Sequence, residues 1–172
     1  RRGVPVAHVF GDGQYGFLFL PMVATTIVTG FGYQSAAIRF GRHRVFCAGF
    51  VITGLSVLFV LAASFAGPRP GEVFILLLLS QTLLGFGFSL LMSSVSVFAI
   101  ELFPNHRTSI LTAIHGMFGA GALLSPLTLD LWNRAHFWQG QALVGFLEIL
   151  VVGVAAFAGR SAPAAVPADP SL

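Results

Sequence analysis

A chain of 172 residues with only 9% charged and 56% hydrophobic side chains lacks the polar material to cover a soluble core; a soluble domain carries about 25% charge. The pI near 10.0 comes from nine basic residues, all arginine and set between apolar runs, which is not the continuous basic face of a nucleic-acid binder. The single Cys47 excludes an intrachain disulfide or a cysteine metal cluster, so no metal, cofactor or nucleic acid is expected, and the lipid bilayer is the first expected partner.

In chain order, residues 1–14 read as an external loop, beginning at Arg1 with no signal peptide, as though part of a longer or processed protein. Five apolar segments follow, at about 15–37, 45–64, 73–102, 108–131 and 137–158. Each suits a helix crossing roughly 30 Å of hydrocarbon, which takes about 20 residues. Pro21 stands early in the first, where a membrane helix tolerates it. "GPRPGE" breaks the chain before the third, "PNHR" after it, and "WNRAH" before the fifth. Residues 160–172 are rich in Pro and Ala and read as a flexible tail or linker. The expected fold class is an all-α membrane protein, a bundle of about five transmembrane helices forming a transmembrane domain over 15–159.

Arginine placement sets the orientation. Arg39, Arg42, Arg44, Arg107 and Arg160 share one side if the spans alternate. Arg69 and Arg134 fall on the other, with Arg1 and Arg2 as a mild exception. The first side is then cytoplasmic, in a plasma or bacterial inner membrane. Trp132, Phe137 and Trp138 suit the aromatic belt at the opposite face.

The order of motifs resembles the major facilitator superfamily of secondary transporters. That family has two halves of six helices, with solute held between them near the midplane. Arg39, Gly41, Arg42 and Arg44 match part of its G-x-x-x-D-R-x-G-R-R loop motif, with Ile38 in the acid's place and Gln34 in that of the first glycine. "LLLLSQTLLGFGFSLL" resembles the family's fourth helix, with Gly85 and Gly87 at its glycine positions. "AIELFPNHR" matches E-x-x-P-x-x-R through Glu101, Pro104 and Arg107. "HGMFGAGALLSP" resembles the fifth helix, with Gly119, Gly121 and Pro126 as packing positions. The pattern is most similar to the fucose- and glucose-type branch. It implies helices two to six or eight to twelve of a transporter, with the remainder of the transporter and a small solute as partners.

Four residues are candidates for binding solute. Gln81 heads a stripe of Gln81, Gly85, Phe88, Met92 and Ser96 on the third span, and its amide offers the donor and acceptor a sugar-like or drug-like solute needs. A packing seam with one buried amide is the alternative. His115 shares a helix face with Thr112 and Gly119, and its imidazole can bond a hydroxyl or pass on a proton. An interhelical bond to Ser or Thr is equally open. Glu148, mid-way along the last span with Gln141 and Gly145 on its face, is a coupling candidate because a carboxylate in hydrocarbon is costly. Its alternative is a protonated packing group. Glu101 and Arg107 read as charges that pair in one conformation, or simply as a solvated helix end. Gln81 also occupies a position where the family often has an arginine linked to proton coupling.

The expected function is transport of a small organic solute by alternating access, with no enzymatic activity. A membrane redox subunit holding haem through histidines is the second reading, but His43, His106 and His136 fall in loops and His115 alone lies at depth. An intramembrane hydrolase is a third, and no Gly-x-Ser-x-Gly or His-Glu-x-x-His motif supports it.

Overall fold

The computed structural model describes residues 12–65, 69–135, 137 and 139–158. Five helices follow one another: α1 (Asp12–Phe40), α2 (Arg42–Phe65), α3 (Pro70–Leu102), α4 (Arg107–Arg134) and α5 (Gly140–Ala158), with a single 3₁₀ turn at Pro104–His106 before α4. Helix α1 begins at Asp12, so residues 12–14 extend the helix, while the rest of the expected N-terminal loop and the tail at 160–172 lie outside the described residues. So do Arg1, Arg2, His136, Trp138 and Arg160. Helices α1 to α4 are long and apolar enough to cross a membrane. Helix α5 has 19 residues, with an apolar stretch over Gly140–Ala155; at 1.5 Å per residue it reaches about 28 Å, close to the hydrocarbon thickness.

The helix ends follow local chemistry. The expected loop at 38–44 shrinks to one residue, because Gly41 adopts φ +87° and turns the chain without a longer connection. Its N–H donates to the Ala37 carbonyl at 3.0 Å and its own carbonyl accepts from Val45 at 3.1 Å, so both flanking helices are closed by the same residue. Helix α3 starts on Pro70, whose fixed φ suits the first helical position. It ends at Leu102, one residue before the Phe103–Pro104 bond that disfavours helical backbone at Phe103. Helices α1 and α4 both continue through their internal prolines, Pro21 and Pro126. At Pro21, Thr25 donates its hydroxyl back to the proline carbonyl at 2.7 Å.

Helix α3 is the centre of the bundle, lying against α1 on one side and α2 on the other; α5 packs on α2, and α4 touches α3 and α5 only lightly. Close approach depends on glycine. A methyl group at Gly85 would overlap Thr25 and the Met22 carbonyl of α1, and one at Gly87 would overlap Thr53 of α2. Hydroxyls bond across the seams, Ser89 to the Thr26 carbonyl at 3.1 Å and Ser80 to the Ser56 carbonyl at 3.0 Å, while the Thr25 oxygen, its proton held by Pro21, lies 3.2 Å from the Thr82 carbonyl. Small residues and hydroxyl bonds are how helices associate in lipid, where burying apolar surface gains nothing.

Burial is inverted relative to a water-soluble core. The side chains sealed most completely are Ser56, Ser80 and Ser94, while Phe31 is 87% exposed and Leu123 78%. Large apolar groups face outward along every span, which is stable only against hydrocarbon or further apolar protein.

Candidate functional site

Three polar features stand out in this apolar framework. The first is a set of buried side-chain oxygens that have no hydrogen-bond partner: Thr29 Oγ1 and Tyr33 Oη on α1, and Gln81 Oε1 and Ser94 Oγ on α3. Thr29 and Tyr33 are one turn apart, so they share a face of α1. Gln81 is half-buried about a third of the way along α3, and its carbonyl oxygen is an acceptor in want of a donor. In hydrocarbon an unsatisfied polar group costs several kcal/mol by order of magnitude, so such an oxygen marks a place for water, solute or another helix.

The second feature is the middle of α3 and the facing part of α4. Phe88 of α3 meets Phe118 of α4 edge-to-face with ring centroids 5.6 Å apart. Met92 is half-buried one turn beyond Phe88. The Thr112 hydroxyl is occupied by the Thr108 carbonyl at 2.9 Å, and His115 is exposed. A methyl group at Gly119 or Gly121 would meet nothing within 4 Å. Of the expected stripe, Gly85 is given over to contact with α1, while Gln81, Phe88 and Met92 are not fully covered. Of that stripe the ring of Phe88 meets α4, with Gln81 two turns before it and Met92 one turn after it along α3. Glu148 lies elsewhere, on an exposed face of α5 beyond the side that packs on α2, and it has no polar partner among the described residues.

The third feature is charged and sits where α1, α2 and α3 end together. Glu101 pairs with Arg42, the first residue of α2, rather than with Arg107. Arg107 Nε instead donates to the Pro104 carbonyl at 3.2 Å, bracing the 3₁₀ turn. Both partners of the Arg42–Glu101 pair are about half exposed, 53% and 51%, so the contact is a positional tie more than a source of stability. Sequence spacing could not reveal it, since the partners are 59 residues apart. Arg39 stacks on Phe40, 5.5 Å from the ring centroid. His43 is not in a loop but in the first turn of α2, its Nδ1 3.3 Å from Cys47 Sγ. At the opposite end of the bundle Asp130 and Arg134 pair at 2.7 Å, and Trp132 meets Phe137 edge-to-face. Among the described residues, no three His, Cys, Asp or Glu side chains converge as metal ligands would.

A helical bundle that is apolar outside, hydroxyl-lined between its helices and crossed by a sparse set of unsatisfied polar atoms defines a multi-pass integral membrane protein. The family profile of the Major Facilitator Superfamily matches residues 4–171, and the chain belongs to that superfamily of membrane transporters. No curated protein and no solved structure matches it.

Proposed function

We propose that these helices form part of a secondary transporter that moves a small, polar, neutral organic solute, sugar-like in its hydrogen bonding, by alternating access. The observation that carries the solute class is the buried, unpartnered Oε1 of Gln81 on the central helix. An amide there offers hydrogen bonds without charge, which suits a hydroxylated neutral solute better than an ion. Met92 supplies an adaptable apolar wall. On the open face of α4, His115 adds a further donor and acceptor, and Thr112, whose hydroxyl proton goes to the Thr108 carbonyl, an acceptor. His115 is the coupling group this reading favours, because Glu148 lies away from the α3–α4 region.

The described residues form five helices, and the proposed cavity is completed by further helices facing α3 and α4, as between the two halves of the family fold. The test is uptake of radiolabelled hexoses and polyols into cells expressing the whole transporter. Gln81→Leu is expected to lower uptake at least tenfold with surface expression unchanged, and Gln81→Glu to retain part of it. Undiminished uptake in Gln81→Leu, or uptake by liposomes holding only these 172 residues, would overturn the proposal.

A further inference from the structure

We propose that the cleft where α1, α2 and α3 end together binds the phosphate group of an anionic phospholipid headgroup. The cleft is about 490 Å³, walled by Tyr33, Gln34, Ala37 and Ile38 of α1, Arg42 of α2 and Val97 of α3.

Depth is the first argument. Helix α1 has 29 residues and so spans about 43 Å, the thickness of a bilayer with both headgroup layers. The wall residues occupy its last two turns, and Val97 lies in the last two turns of α3. The cleft therefore opens at headgroup level, where phospholipid is the most abundant small molecule. Basic pockets between membrane helices at this level hold anionic headgroups.

Charge and hydrogen bonding narrow the class. Among the described residues Arg42 is the only charged one in the wall, and its carboxylate partner there, Glu101, leaves other donors of the guanidinium for a second acceptor. Arg39 and Arg44 flank the same Gly41 turn, and neither has an acidic partner among the described residues. Ile38 leaves that stretch of wall without a carboxylate. Tyr33 is nine-tenths buried, its hydroxyl has no partner, and the exposed Gln34 amide adds a further donor beside it. Guanidinium with neutral donors suits a phosphate, and the apolar Ala37, Ile38 and Val97 suit the glycerol and first acyl carbons beneath it. Neither solute transport nor the chain's orientation enters, since phospholipid phosphates line both faces of a membrane.

The test uses the full chain, delipidated in detergent and titrated with dioleoyl phosphatidylglycerol, with retained lipid counted by native mass spectrometry. Wild type is expected to retain this lipid and to ignore dioleoylglycerol, which lacks the phosphate. Arg42→Gln should weaken retention about fivefold, with smaller losses for Arg39→Gln and Arg44→Gln. Ile38→Asp, which places a carboxylate on the wall, should do the same, and Arg42→Lys should keep part of the binding. Displacement of the lipid by millimolar inorganic phosphate assigns the cleft to free phosphate and overturns the lipid. Equal retention by Arg42→Gln and Ile38→Asp proteins that melt like wild type overturns the site altogether.

Discussion

Gly87 and Gly54 both belong to helices in contact, yet the two positions answer differently to the same added methyl. At Gly87 the new Cβ would stand 2.8 Å from the Thr53 backbone nitrogen and 3.1 Å from the Gly49 carbonyl oxygen, neither of which can move without moving α2. At Gly54 it would stand 3.7 Å from the Ile149 methyl of α5, an ordinary contact. Alanine favours helix over glycine by about 1 kcal/mol, so Gly54→Ala should be neutral or stabilising. Gly87→Ala should lose about 1–3 kcal/mol through overpacking, despite the same propensity gain. Unfolding of the two variants in mixed detergent and SDS micelles measures the contrast; equal midpoints would show that α2 and α3 are not in close contact at Gly87.

Among elements, helix positions were legible in the sequence because apolar length has so direct a physical meaning in a membrane. The break before α3 was legible in Pro70, and the end of α3 in Pro104. The α1–α2 connection was not. A loop of several residues was expected around Gly41, but a single left-handed glycine suffices, and φ leaves no trace in composition. The seams were legible only in part. Gly85 and Gly87 announced close approach, whereas which hydroxyl meets which helix depends on rotation about each helix axis, and low amphipathicity in lipid leaves that rotation unmarked. Ser56 and Ser80 show the consequence, with their oxygens 3.2 Å apart between α2 and α3. A double-mutant cycle of Ser56→Ala and Ser80→Ala should return a coupling of about 0.6 kcal/mol, well below the desolvated value naive reasoning assigns. Strict additivity of the two variants would show that the hydroxyls do not interact. The unpartnered oxygens were less legible still: Gln81, the candidate solute ligand, was visible as an amide in an apolar run, but Thr29 and Tyr33 read as ordinary span residues until burial left their oxygens without partners.

At the scale of the whole molecule, the balance of arginines across the two ends of the bundle makes the orientation testable. The end formed by the Gly41 turn and the 3₁₀ turn carries Arg39, Arg42, Arg44 and Arg107, against Arg69 and Arg134 at the opposite end. Several of these charges are committed locally. Arg42 pairs with Glu101, Arg69 with Glu72 and Arg134 with Asp130. Acidic residues contribute little to the positive-inside bias, so pairing does not cancel it, and the Gly41 end should face the cytoplasm. Asn105 and Gly71 are exposed at opposite ends and make suitable reporters. In a Cys47→Ala background, a membrane-impermeant maleimide applied to intact cells should label Gly71→Cys and spare Asn105→Cys until the membrane is opened. Cys47 is buried, so its replacement by alanine leaves the background quiet at small cost. The reverse labelling pattern would invert the bundle. It would also place the Arg42 cleft in the outer leaflet, where it would still lie among phospholipid phosphates but on the side away from the cell's own anionic surface.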